Sequence, residues 1–261
     1  MTTQFYFHNI EIWGTVITIQ TPIQETVESN FGNACDESRK FFERIDQRFS
    51  TYREDSEVTR LRQGIISAKE CSLEMQHVIN ECYLLKELTF GAFDPWAVKG
   101  GFDPSGFVKG WAAQSALSIF IQAGIKSVQV NAGGDVALCG GYDSETPWRI
   151  GIRHPDLPNE IARTIELFDG AIGSSGTYER GAHIIDPEFG VPAVGARAAT
   201  VVGPDGGWVD ALATALIVDG RDAVNWIESE AFSAYSFWGV DKDGDGSWSY
   251  SKPETTLRRL S

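Results

Sequence analysis

Residues Asp103 to Leu138 read DPSGFVKGWAAQSALSIFIQAGIKSVQVNAGGDVAL, and this run contains the change of period that decides the fold. Val108, Trp111, Ala112, Ser115, Ile119 and Phe120 recur at steps of three and four. That stripe predicts a helix from just after Asp103-Pro104-Ser105-Gly106 to about Ala123, with Gly124 ending it. The pattern then switches to alternation. Val128 and Val130 share one face of a strand, Gly133-Gly134 makes a turn, and a return strand runs through Val136 and Leu138. A third strand, with Trp148, Ile150 and Ile152 in register, completes an expected antiparallel meander. A helix feeding a meander places the chain in the α+β class.

Working outward, Ile10 to Ile19 alternates and is expected to form a first strand, with a Trp13-Gly14-Thr15 turn in its middle. From Thr26 to Ile45, the positions Val27, Phe31, Ala34, Ser38, Phe41, Phe42 and Ile45 mark a long amphipathic helix. A loop from Phe49 to Ser56 leads towards a second helix, with Met75, Val78, Ile79, Cys82 and Leu85 on one face. Beyond Gly203-Pro204, helices are expected over Val209 to Leu216 and Arg221 to Glu228, and Ser233 to Ser249 alternates around an aspartate-rich turn. There is no Pro- or Ser-rich linker and no repeat, so residues 1–261 are expected to fold as a single unit.

The chain carries 36 acidic against 22 basic residues, a formal charge of −14, which opposes binding to a polyanion; no nucleic-acid partner is expected. The four cysteines form no CxxC and no zinc spacing with histidine, and are expected to be reduced, mostly buried thiols. The opening MTTQFYFHNIEIWGTVITIQ lacks a basic n-region, a long apolar stretch and a lipobox cysteine, and no run approaches a membrane span. A cytoplasmic location is the simplest expectation.

Four glycine-containing segments carry chemistry. Asp103 to Gly110 opens a helix whose free N–H groups, with Lys109, suit a pyrophosphate; on this segment alone the alternative is a capped structural helix with a solvated lysine. Asp210 and Thr214 lie four apart, so their oxygens project from one helix face and suit a single hard cation; otherwise they are a first-turn acid and a back-bonding hydroxyl. Ala171 to Tyr178 sets small hydroxyl residues between glycines, followed by His183, which is either a titrating base or a structural histidine. Asn131 to Asp135 is either a ligand-facing hairpin or a simple turn. Asp241-Lys242-Asp243-Gly244 starts like a calcium loop, but the twelfth position is Lys252 rather than Glu, which makes it a hairpin turn.

Taken in order, the segments resemble the ApbE family of flavin transferases from about Trp13 to Leu216. The resemblance is carried by WGT, FSTYREDSEVTRL (Phe49 to Leu61), GAFDP (Gly91 to Pro95), DPSGFVKGWA (Asp103 to Ala112), VNAGGDV (Val130 to Val136), HIIDP (His183 to Pro187) and DALATAL (Asp210 to Leu216). It implies a T-fold-like α+β unit, with an antiparallel meander and packed helices. Asp210 and Thr214, with the backbone carbonyl of Val108, would bind Mg²⁺. Trp13, Tyr52, Ala92, Phe93, Asp94, Ser105, Lys109 and Ile184 would line the FAD site, and His183 would be the general base. The implied reaction moves FMN from FAD to a Ser or Thr of an acceptor flavoprotein and releases AMP. A Mg²⁺-dependent FAD pyrophosphatase and a non-catalytic flavin carrier are the alternatives. The chain departs from the family pattern where Trp13 replaces Met in the MGT motif, where DPSGFVKG replaces DxGGxAKG, and at Ser174 to Tyr178, where SSGTY replaces TSGxY.

Overall fold

The computed structural model describes residues 4–23, 28–157, 159–176, 184–244, 246–251 and 258–259. An eight-stranded antiparallel sheet runs in the order β1 (Phe5–Ile12), β2 (Thr15–Pro22), β3 (Val128–Ala132), β4 (Asp135–Cys139), β7 (Gly170–Gly176), β8 (Ala196–Gly203), β9 (Ser236–Asp241) and β10 (Ser247–Ser251). A three-stranded sheet of β11 (Arg258–Arg259), β6 (Ile161–Leu167) and β5 (Trp148–Arg153) forms a further layer. The expected α+β class and antiparallel pairing are present.

Strand alternation sorts the side chains of the large sheet. Val128, Val130, Ala132, Ala137, Ala171, Ala199 and Val201 join the main core with the helices. Val136, Leu138, Ile172 and Val202 join a second core with Trp148, Ile152 and Ile165 of the small sheet. This second core corrects only the third strand of the expected meander. Trp148, Ile150 and Ile152 do alternate in register, but β5 pairs with β6, and β4 takes β7 as its neighbour through Val136 and Ile172. The reason is burial: β4 is apolar on both faces, so β5 and β6 fold over its second face, where the Trp148 indole donates to the Cys139 carbonyl at 3.1 Å.

The expected first strand is two strands, β1 and β2, paired across the turn at Trp13 and Gly14, both at positive φ (58° and 67°). The first helix, α1 (Glu28–Phe49), carries the anticipated stripe from Phe31 to Ile45, Thr26 and Val27 lying outside the described residues, and runs one turn past Ile45, because Phe49 continues it and packs edge-on against Trp111 at 5.7 Å. A short helix, α2 (Glu57–Arg62), occupies part of the stretch left unassigned, started by Ser56 accepting from the Thr59 N–H at 3.1 Å. Helix α3 (Leu73–Leu88) buries Met75, Val78, Ile79, Cys82 and Leu85 as expected. Helix α4 (Ser105–Gln122) ends where anticipated. Helix α5 (Gly206–Asp219) is longer than Val209 to Leu216 at both ends, because Asp205 caps it by accepting from the Trp208 N–H at 2.9 Å. The stretch from Arg221 is split between a 3-10 turn and the short helix α6 (Val224–Ile227).

All four cysteines are free, and three of them, Cys35, Cys71 and Cys82, are buried. Burial pushes the Cys35 thiol up to about 12, with help from the Asp36 charge. No helix among the described residues is long and apolar enough to cross a membrane.

Candidate functional site

The site is built where α4 and α5 touch backbone to backbone. A Cβ on Gly110 would overlap the Gly206 carbonyl, and a Cβ on Gly206 would overlap that of Gly110. Only glycine at both positions permits the contact, and Gln114 fastens it by accepting from Gly206 N–H at 2.6 Å and donating to the Pro204 carbonyl at 2.7 Å. A Cβ on Gly173 of β7 would likewise overlap the Val209 carbonyl, so α5 also lies directly on the sheet.

This close approach brings Asp210 of α5 to Lys109 of α4. The lysine ammonium lies 3.2 Å from each carboxylate oxygen of Asp210 and 2.5 Å from Oδ2 of Asp135, the first residue of β4. Gly110 N–H donates to Asp210 Oδ2 at 3.2 Å. Asp135 and Asp210 are each 2% exposed. Burial, then the neighbouring Asp135 charge, push the Asp210 carboxyl up to about 7, against the pull of Lys109 and of the Gly110 amide. For Lys109, burial opposes the charged form, but Asp135 and Asp210 outweigh it and raise its pKa. Lys109 is thus ion-paired to two acids rather than freely solvated, with 24% of its side chain still exposed.

One turn along α5, Thr214 Oγ1 lies 3.5 Å from Ser175 Oγ on β7. The point where a Gly106 Cβ would sit is 3.2 Å from Thr214 Oγ1 and 3.5 Å from the Phe93 ring, so Phe93, Gly106 and Thr214 converge. Ser174 points the other way, its hydroxyl 3.1 Å from that of Thr200. Ala92 and Phe93 are buried. Asp94 accepts from Lys86 at 2.7 Å and from the Trp96 N–H at 2.9 Å. Val108 is buried at the end of the first turn of α4, while Ser105 is exposed and donates its N–H to Asp103.

Three other expected residues are found in surroundings of their own. Tyr52 is 97% exposed in the turn after α1. The Trp13 ring packs edge-on against Phe42 at 5.5 Å, and its buried indole N–H has no hydrogen-bond partner. Ile184 is half-buried against the main core. His183 lies outside the described residues.

Asp135 is the residue that motif reading left without a role. Its signal was an acid directly after Gly133-Gly134, a turn held by Gly134 N–H donating to Asn131 Oδ1 at 2.9 Å and by Thr15 against Gly133.

Among the described residues no group of three or more His, Cys, Asp and Glu gathers to hold a metal. A carboxylate and a hydroxyl on one helix face nevertheless fit Mg²⁺, which takes one or two carboxylates and completes its shell with water and substrate phosphates. Beside them, the Oδ1 of Asp135 is buried and has no hydrogen-bond partner.

The fold and site thus define an α+β protein with a buried acid–lysine cluster where two glycine-locked helices meet an antiparallel sheet. The ApbE family model matches residues 13–99 and 97–236, and the chain belongs to the ApbE family. It is 28% identical over 242 residues to an FAD:protein FMN transferase of Vibrio cholerae, covering 70% of this chain and 72% of that one. It is 36% identical over 129 residues to an FAD:protein FMN transferase of Rhodobacter capsulatus, covering 46% of this chain but 24% of that one. The same figures for the Escherichia coli K12 relative are 28% over 205 residues, 72% and 55%, so the chain spans only part of the length of these relatives. The flavin transferase ApbE structure from Vibrio cholerae matches with a TM-score of 0.82 at 24% identity, over 97% of this chain and 99% of that one. The ApbE protein from Thermotoga maritima matches equally, with a TM-score of 0.82 at 24% identity over 96% and 97%.

Proposed function

We propose that the chain is an FAD:protein FMN transferase, which moves FMN from FAD to a Ser or Thr hydroxyl of an acceptor flavoprotein. The observation that carries this reading is Asp210 held against Lys109, with Thr214 one turn on beside Phe93 and Gly106. The site thus sets two carboxylates, Asp210 and Asp135, one ammonium and the Thr214 hydroxyl near the start of α4.

The hydroxyl oxygen of the acceptor attacks the FMN-side phosphorus of FAD. The P–O bond to the AMP side breaks, a phosphodiester to the protein forms, and AMP leaves with the bridging oxygen. The hydroxyl proton passes to a base, for which His183 is the candidate. Asp210 and Thr214, with the Val108 carbonyl, would hold the cation. Mg²⁺ bound there would supply neutralisation of the pyrophosphate charge. Lys109 adds a permanent positive charge, whereas the N–H groups of Ser105, Phe107 and Val108 that open α4 are taken up by the Asp103 carboxylate and the Pro104 carbonyl rather than left free for phosphates. Phe93 excludes water from the Thr214 side of the site. Ser105, Asp94, Ala92, Tyr52, Trp13 and Ile184 complete the FAD surface in this reading.

The test is incubation with FAD, Mg²⁺ and a flavoprotein domain bearing an acceptor Ser or Thr, following AMP release and covalent flavin fluorescence together. Equal amounts of AMP and protein-bound flavin are expected. AMP with free FMN and no labelled protein identifies a pyrophosphatase instead, and retained FAD with neither product identifies a carrier.

A further inference from the structure

Lys109 stands where a cation is wanted. Its ammonium bridges both oxygens of Asp210 at 3.2 Å, yet sits closer, at 2.5 Å, to Asp135. A lysine and a divalent cation cannot share one buried carboxylate without repelling each other. An ammonium withdrawn from Asp210 inside the protein needs another acceptor. Asp135 offers one: its Oδ1 is buried and has no hydrogen-bond partner, and an ammonium has three donors to place.

The backbone around this pair is fixed. Gly110 against Gly206 holds α4 to α5, and the Asn131–Gly134 turn with Thr15 holds the start of β4. What remains free to change is the lysine side chain, on its four-carbon stem.

We propose that Lys109 is an internal stand-in for the cation, with Asp135 the positioning residue that makes it exchangeable. In the metal-free protein Lys109 neutralises Asp210. When the cation arrives, Lys109 gives up Asp210 and is retained by both oxygens of Asp135, on the side from which it serves the phosphates. The inference rests on the reading of Asp210 and Thr214 as cation ligands. With both acids ionised, two carboxylates and one ammonium leave the pocket one negative charge, and a divalent cation reverses it to one positive charge, which favours an anionic substrate only after the metal has bound.

The experiment is a double-mutant cycle on Mn²⁺ binding, read from the free-ion electron paramagnetic resonance signal without FAD present. The proteins are wild type, Asp135→Asn, Lys109→Met, the double variant and Asp210→Asn. In Asp135→Asn the lysine has no second partner and stays on Asp210, so Mn²⁺ binding is expected to weaken about tenfold. Removing the lysine then restores it, and Lys109→Met tightens binding at least about fivefold more in the Asp135→Asn background than in wild type. A merely structural Asp135 would not be rescued by losing its partner. Effects that add to within about twofold would overturn the exchange.

A second measurement needs no Asp135 variant to fold. The Lys109 ammonium resonance of ¹⁵N-lysine-labelled protein, assigned with Lys109→Met, should shift on Mg²⁺ addition. An unmoved resonance at saturating Mg²⁺ would refute the exchange. If Asp210→Asn binds Mn²⁺ as wild type does, the cation site itself is misassigned and the exchange falls with it. If Asp210→Asn loses binding while the cycle is additive, the site stands and only the exchange fails.

Discussion

Two regions of this molecule are rich in aspartate and differ in nearly everything else. At the α4–α5 crossing, Asp135 and Asp210 come from elements distant in sequence, are 2% exposed, and share one lysine, with a carboxylate oxygen left over. In the β9–β10 turn, Asp241 and Asp243 are neighbours in sequence, and the motif looks like a cation loop. There Asp241 takes a bidentate pair of 2.7 Å bonds from Arg221, and its carboxyl is held below the usual range, first by those bonds. Its own amide closes the hairpin on the Gly246 carbonyl at 2.9 Å. The acids of the turn are thus engaged in building a hairpin, while those at the crossing are desolvated and incompletely paired. Burial with unmet acceptors is what favours the crossing, rather than a dense run of acidic letters, as the proposed cation site.

The contrast breaks most visibly at Asp210. Asp210→Ala should lower AMP release from FAD by about 10³-fold and abolish its dependence on Mg²⁺ concentration. Residual turnover that still titrates with Mg²⁺ would place the metal elsewhere. Next comes the crossing itself. Gly110→Ala forces a methyl into the Gly206 carbonyl, so about 3 kcal/mol of stability should be lost in urea unfolding, together with transfer activity. Wild-type stability in that variant would mean that the helices are not locked.

A finer comparison lies within one strand. Ser175→Ala removes the hydroxyl beside Thr214 and should reduce turnover by up to about tenfold, one hydrogen bond's worth, whereas Ser174→Ala, on the opposite face, should leave turnover unchanged. Equal effects from the two would contradict the register of β7. The smallest effect is expected at the turn. Asp241→Asn should leave flavin transfer as it was, and millimolar Ca²⁺ should not raise the melting temperature of the wild type.

Much of this was readable in the letters, for identifiable reasons. Helices α1, α3 and α4 announced themselves because their buried residues repeat locally, and the shared helix face of Asp210 and Thr214 follows from spacing, whereas their choice as cation ligands came from the family resemblance. The partner of β5 was not readable. Alternation says that Trp148, Ile150 and Ile152 face a core, but the choice between pairing with β4 and covering it is made by the second apolar face of β4, a tertiary fact. Which of Ser174 and Ser175 enters the site likewise depends on strand register rather than on composition. The Lys109–Asp135 pair joins residues 26 apart on a helix and a strand, and no periodicity links them. The acid after Gly133-Gly134 hinted at it, and the Gly110–Gly206 contact, which fixes the geometry, became visible only with both helices in place.

The most direct measurement is anomalous scattering from a crystal of the protein soaked in Mn²⁺. The expected result is a peak within coordinating reach of the Asp210 carboxylate and the Thr214 hydroxyl, and none at the Asp241–Gly244 turn. A peak at the turn, with none beside Asp210, would contradict the assignment of the buried crossing as the cation site.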